Sequence, residues 1–138
     1  MKKLINNAFI YAIAAIICGV FYREFTKWMS FTGRTTLAFT HLHLFALGTG
    51  VFLILALFSL QTNLLEQRKF RISVILYNIG LPLTVIMLFV RGIFQVWGTP
   101  LSKGMDAAIS GMAGISHIFL TIAIVFLFLC LRNCSKKN

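Results

Sequence analysis

The amino-acid sequence predicts an all-α protein, a four-helix transmembrane bundle without a separate soluble domain. Hydrophobic residues make up 59% of its 138 residues, against about 45–50% in soluble domains, and the mean hydropathy is +0.88. These residues fall into four runs of about 20 or more, each long enough to cross the ~30 Å hydrocarbon core of a bilayer. We therefore expect a multi-pass protein of the cell membrane whose main partner is the lipid bilayer.

The first predicted helix covers residues 4–22 and begins directly after Lys2 and Lys3. An apolar run behind two lysines is also typical of a secretory signal peptide. The run continues past the small residues at 12–14 as far as Tyr22, which favours a retained helix.

The remaining helices follow the same pattern of apolar runs separated by polar loops. The second is predicted over residues 36–60 and the third over 72–97. The fourth is predicted over 106–131, after a connection at 98–104 that contains the proline and glycines typical of a loop. All four helices belong to one predicted domain, 1–138.

The distribution of Lys and Arg predicts the orientation, because cytoplasmic loops of membrane proteins carry an excess of these residues. With the N-terminus inside, eight lie on the cytoplasmic side and five on the outer side. The cytoplasmic set is Lys2, Lys3, Arg68, Lys69, Arg71, Arg132, Lys136 and Lys137, and the outer set is Arg23, Lys27, Arg34, Arg91 and Lys103. Both termini are therefore predicted to be cytoplasmic. Most of the net charge of +10 flanks apolar runs, so we do not expect a nucleic-acid partner.

All three histidines, His41, His43 and His117, lie inside predicted transmembrane helices. Ionisable groups are costly in lipid and usually mark a function or a specific partner. At 1.5 Å per residue, His41 and His117 lie ~8 Å and ~16 Å from the outer ends of their helices. Arg91 comes six residues before the outer end of the third helix. A cation and two imidazoles therefore share the outer half of the predicted bundle.

Small residues lie beside these histidines. Ser110 and Gly114 precede His117 by seven and three residues and share its helix face, and Gly48 follows His41 by seven. Such flat faces leave space next to an imidazole ring. Residues two apart on a helix point about 200° away from each other, so His41 and His43 cannot both face the same partner. Which of the two is a ligand stays open.

These features together match the requirements of a b-type haem in a helical bundle. We expect His41 and His117 to supply the axial nitrogens, and Arg91 with Arg34 or Arg23 to pair with the propionates. An iron with both axial positions filled has no open site for a substrate, which favours electron transfer with a quinol or another membrane redox partner over catalysis. Haem sensing or delivery and gas binding stay open.

Two other interpretations explain the same residues. The histidines form a transition-metal or proton-handling site without porphyrin, or the polar groups only fix helix packing in an accessory structural subunit. A crossing point at Gly111 and Gly114 also suits a homodimer as well as it suits the bundle itself.

Five segments along almost the whole chain carry a resemblance to a known family. They are residues 1–4, 21–27, 35–44, 91–93 and 103–111. Together they resemble a family of small, four-helix bacterial membrane proteins classed as a domain of unknown function. The resemblance implies the four-helix architecture and brings no activity with it.

A second resemblance is confined to the stretch His41-Leu42-His43-Leu44-Phe45, preceded by Arg34. It is similar to the second-helix segment of haem-copper oxidase and nitric-oxide reductase large subunits and of NnrS-type membrane proteins. A histidine of that segment ligates low-spin haem, so the resemblance implies His41 as a ligand. The chain lacks the adjacent histidine pair and the His-x-x-x-Tyr of a copper site, and the resemblance does not extend to a binuclear centre.

Overall fold

The computed structural model describes residues 1–135, and the chain folds as four helices joined by short loops. We name them α1 (Lys2–Trp28), α2 (Leu37–Gln61), α3 (Arg68–Trp97) and α4 (Lys103–Ser135). Each is long and apolar enough to cross a membrane, which confirms the all-α class and the four predicted spans. The predicted cytoplasmic residues Lys136 and Lys137 lie outside the described residues.

Helices α1 and α4 extend beyond their predicted apolar runs. Helix α1 continues through Arg23 and Glu24 to Trp28, where long polar side chains reach water while the backbone stays hydrogen-bonded within the helix. The chain then leaves the helical path at Ser30, whose φ is 50°. Helix α3 ends at Gly98, whose φ of 67° is typical of a glycine C-cap.

Helix α3 packs against both α4 and α2, whereas α1 packs mainly along α2. Ser73 Oγ donates a hydrogen bond to the carbonyl of Ala123 on α4 at 2.7 Å, and Thr84 Oγ1 donates to Ser116 Oγ at 2.8 Å. Between these bonds, a Cβ added to Gly80 would lie 3.1 Å from the carbonyl oxygen of Ser116. The two backbones therefore approach closely, as small residues allow in membrane helix pairs.

The beginning of α2 is fixed on α3 near its final turns. Thr35 Oγ1 donates to the carbonyl of Gly92 at 3.0 Å, and Thr36 Oγ1 donates to the carbonyl of Leu88 at 2.7 Å. A Cβ added to Gly92 would lie only 2.6 Å from the backbone nitrogen of Leu37. The end of the molecule that carries this junction, with Trp28 and Trp97, is called the tryptophan end below.

Helix α1 contacts both α2 and α3. Tyr11 OH donates to Asn78 Oδ1 at 2.8 Å, and the rings of Phe21 and Phe89 lie 4.9 Å apart. At about 100° per residue, the α3 residues that contact α4, those that contact α2 and those that contact α1 follow one another in this order around the α3 axis. The order around α3 is thus α4, α2, α1. Within the described residues, α4 has a packed interface with α3 and with neither of the other two helices.

Seven residues of α2, Leu44–Gly50, are π-helical. Tyr77 OH of α3 donates to the carbonyl of Leu47 inside this segment at 2.9 Å. Such wider turns are rare and frequently accompany functional sites. The segment begins directly after His43, so it lies next to the histidines that the sequence selected.

The Gly92→Ala substitution is expected to destabilise the fold by about 1–3 kcal/mol, because the new methyl overlaps the backbone of Leu37 and neither helix can yield without separating. The matched control is Gly111→Ala on α4, where a Cβ meets nothing within 4 Å and alanine favours the helix. Thermal unfolding of the detergent-solubilised protein measures both. Equal melting temperatures for the two variants would contradict the close α2–α3 contact.

Candidate functional site

Two of the three histidines make the same hydrogen bond. His43 Nδ1 lies 2.8 Å from the carbonyl of Phe39, and His117 Nδ1 lies 2.6 Å from the carbonyl of Ala113. In each pair the carbonyl belongs to the preceding turn of the same helix. Because a carbonyl oxygen only accepts, Nδ1 must carry the proton in both rings.

A neutral imidazole protonated at Nδ1 has its lone pair on Nε2. The described residues provide no hydrogen-bond donor to Nε2 of either His43 or His117. His117 is exposed and His43 is partly buried. Both rings are therefore fixed by the backbone and present a metal-ligating nitrogen away from their own helix.

His41 has different surroundings. Its ring lies against Gly19 of α1, where an added Cβ would be 3.6 Å from His41 Cγ, and it stacks on Tyr22 at a centroid distance of 6.2 Å. Among the described buried side-chain nitrogens and oxygens, His41 Nδ1 is the one without a hydrogen-bond partner. The structure thus places His41 on the α1 side of α2, and it does not bring His41 and His117 into the same space.

His43 lies on the opposite side of α2. It shares a helix face with Thr36, seven residues earlier, and Thr36 is bonded to α3. His41, two residues away, points about 200° round the helix. Since α1 and α4 lie on either side of α2 around α3, the side of α2 opposite His41 is the side of α4.

His117 lies on the edge of α4 that turns toward α2. Its neighbour Ser116 faces α3, and His117 follows about 100° further round a right-handed helix. Since α4 runs antiparallel to α3, this rotation leads from α3 toward α2. We call the space between these two histidine-bearing edges, over α3, the α2–α4 cleft.

The two histidines lie at similar heights along the helix axes. His43 follows the contact between Leu37 and Gly92 by six residues, or ~9 Å. Ser116, beside His117, contacts an α3 residue eight positions before Gly92, or ~12 Å along that helix. The two imidazoles are therefore within about one helical turn of each other in depth.

The base of the cleft is closed by packed side chains. Leu81 and Thr84 of α3, which lie beneath it, are fully buried. The cleft therefore opens outward from the helices rather than into an internal cavity, and a planar group held there would have an edge facing lipid.

Arg91 lies nearer the tryptophan end on the same side of α3. Its Nη2 is 2.7 Å from Asp106 Oδ1 and 2.8 Å from Ser110 Oγ, both on α4. Ser110, a predicted site residue, precedes His117 by seven residues and shares its helix face. Arg91 is therefore hydrogen-bonded to the face of α4 that also carries His117.

The other two candidate arginines lie elsewhere. Arg23 is 3.8 Å from Glu24, with its side chain 81% exposed. Arg34 is exposed in the loop between α1 and α2. Of the three arginines, Arg91 alone is bonded to the α4 edge that carries His117, within the described part of the chain.

The helix faces that were predicted to be flat, at Gly48 on α2 and at Gly114 on α4, differ in the space they leave. A Cβ on Gly48 would lie 2.6 Å from Tyr11 Cβ, so the space expected beside this glycine is filled by α1. Around Gly114, and around Gly111, a Cβ would meet nothing within 4 Å. The face of α4 is open, and the homodimer contact expected there stays a prediction.

The sequence-based interpretation missed a polar layer in the core. Tyr11 OH donates to Asn78, whose Nδ2 donates to the carbonyl of Val74, and the Tyr77 hydroxyl bonds to α2. An asparagine inside an apolar run was the available signal. The layer satisfies its own polar groups and joins three helices.

No group of three or more His, Cys, Asp or Glu side chains in residues 1–135 is placed to hold a metal ion. A haem iron differs from other metal sites in needing only axial ligands from the protein, because the porphyrin supplies the equatorial nitrogens.

The chain belongs to the family described as protein of unknown function DUF2871, whose family model matches residues 1–134. This confirms the resemblance to a family of unknown function over nearly the whole chain. No curated protein and no solved structure matches it. The similarity of residues 41–45 to haem-copper oxidases rests on those residues alone.

The hydrogen bonds predict the tautomers of the histidines. In ligand-free protein labelled with nitrogen-15 at the imidazoles, the neutral rings of His43 and His117 are expected to carry their proton on Nδ1 and not on Nε2. Nuclear magnetic resonance distinguishes the two nitrogens, and His43→Gln and His117→Gln assign the signals. A neutral ring of either histidine with its proton on Nε2 instead of Nδ1 would contradict these hydrogen bonds.

Proposed function

We propose that the chain is a membrane haem-binding protein that holds one b-type haem in the α2–α4 cleft, with Nε2 of His43 and Nε2 of His117 as the axial ligands. The observation that supports this most strongly is the shared bond of their Nδ1–H groups to backbone carbonyls. Histidine ligands usually make this second bond, which fixes the ring and raises its basicity.

The choice of His43 departs from the pairing that the oxidase resemblance implies. His41 and His43 were alternatives from the sequence, and the contacts of His41 with Gly19 and Tyr22 favour a packing role on the α1 side. His43 is on the side of α2 that faces α4. The open face at Gly114, three residues before His117, leaves room beside that histidine for the haem.

Arg91 is the residue best placed to bind a propionate. Its Nη2 is held by Asp106 and Ser110, and the remaining guanidinium N–H groups are available to a carboxylate. Arg91 precedes the end of α3 by six residues, so the propionates would point toward the tryptophan end, where the helices reach water.

Bis-histidine haem supplies one-electron transfer when it is bound. The protein's share is to fix both imidazoles, to place a cation near the propionates and to leave one edge accessible from the membrane. A quinol or a membrane redox protein is the partner that such an edge suits. We further propose the cell membrane as the location, with both termini cytoplasmic, because the Lys and Arg count favours that orientation.

Absorption spectra of the protein purified in mild detergent, after expression with ample haem, test the proposal. The wild type is expected to show a Soret band and sharp reduced bands, which His43→Ala and His117→Ala should abolish. The matched control is His41→Ala, which removes an imidazole two residues away and should keep the bands.

Each other result has a defined meaning. Loss of the bands in His41→Ala and their retention in His43→Ala would transfer the ligand role to His41. A colourless wild type would overturn the haem proposal. Stoichiometric copper or zinc in that sample would then indicate the non-haem metal interpretation, and absence of both would favour an accessory structural subunit.

Arg91 is expected to raise the reduction potential of the haem, because a nearby cation disfavours the more positive ferric state. Arg91→Gln should lower the midpoint potential by an amount on the order of 50 mV. Arg23→Gln, which removes an exposed cation of α1, is the control and should leave it unchanged. Redox titration followed by the haem bands measures both, and equal potentials in all three proteins would argue against Arg91 as the propionate partner.

A further inference from the structure

A shallow cavity of about 430 Å³, widely open to the surface, lies at the tryptophan end, between the last turn of α3 and the first turn of α4. Its walls include Phe94, Gln95, Pro100, Leu101 and Asp106. The volume falls in the ~300–1,000 Å³ range of small-molecule sites. The cavity is separate from the α2–α4 cleft but shares Arg91 with it.

The charged groups of this cavity balance each other. Asp106 Oδ1 is paired with Arg91 at 2.7 Å, and the Asp106 side chain is 59% exposed. Its carboxylate therefore has acceptor capacity left for a ligand hydroxyl. Because the charges of Arg91 and Asp106 cancel, the cavity offers no net positive charge to a phosphate or carboxylate ligand, and it favours a neutral ligand.

A donor and an aromatic wall lie close to this acceptor. Gln95 Oε1 accepts from the backbone N–H of Thr36 at 2.8 Å, which orients the amide so that its NH₂ group can donate to another molecule. The Phe94 ring lies 6.0 Å from the ring of Trp97. A flat ring that carries both a hydroxyl donor and an oxygen acceptor matches these groups.

We propose that this cavity binds the headgroup of a quinol, with Asp106 accepting a hydroxyl hydrogen bond, Gln95 donating to a ring oxygen and Phe94 packing against the ring. Tryptophans mark the membrane–water interface, so a ligand anchored in lipid by an apolar tail reaches this level. Binding at the cavity does not require haem. The role of the quinol as electron donor deepens the proposed function and rests on it.

The test is anaerobic equilibrium dialysis of the full chain in lipid nanodiscs against duroquinol, corrected for uptake by protein-free nanodiscs. Saturable binding of one duroquinol per chain is expected. Asp106→Ala and Phe94→Ala should each weaken it about tenfold or more, because each removes a principal contact. The matched control is Glu24→Gln, which neutralises an exposed acid at the same end of the molecule and should leave binding unchanged.

The dimethyl ether of duroquinol serves as the ligand control, since it keeps the ring but has no hydroxyl to donate. Equal binding of the ether, unchanged binding in Asp106→Ala, or no saturable uptake at all would each overturn the quinol site. Saturable binding of inorganic phosphate that duroquinol fails to displace would do the same. Haem spectra of the same samples report separately on the proposed function, because Phe94→Ala changes neither histidine nor the Arg91–Asp106 pair and should keep the bands.

Discussion

The close approach of α3 to its neighbours is the constraint on which the rest of the structure depends. Lipid is as apolar as the helix surfaces, so helix association in a membrane relies on close packing and interhelical hydrogen bonds. Gly80 and Gly92 provide the close contacts, and the bonds from Thr84 and Thr36 fix the register. These contacts determine which face of α2 and which face of α4 point toward each other.

That register explains why histidines two residues apart have different surroundings. With Thr36 fixed on α3, the helical period directs His41 toward α1 and His43 toward α4. The same reasoning applies on α4, where the bond at Ser116 directs His117 to the edge beside α2. Hydrogen bonds to the preceding turn then orient both rings, so the arrangement of the candidate ligands follows from backbone packing.

Arg91 connects the two sites described above. It lies on α3 above the cleft, and its ion pair with Asp106 ties α3 to the first turns of α4. This pair makes the cavity at the tryptophan end electrically neutral. The remaining guanidinium N–H groups of Arg91 are available as donors to the α2–α4 cleft. An ion pair with a partly exposed carboxylate contributes little to the stability of the fold. The position of the Arg91–Asp106 pair between the cleft and the cavity favours a functional role instead.

The sequence by itself determined the four spans, because a run of about 20 apolar residues has one low-energy place in a bilayer. It also indicated the three histidines and Arg91 as candidate site residues, because ionisable groups are rare in lipid. Only the tertiary structure decided that Gly48 is packed under Tyr11, that Leu44–Gly50 is π-helical and that α4 keeps an open face. The physical reason is that helical periodicity fixes the angles between residues of one helix, whereas the face turned to a neighbour depends on contacts between residues far apart in the chain, such as Leu37 with Gly92.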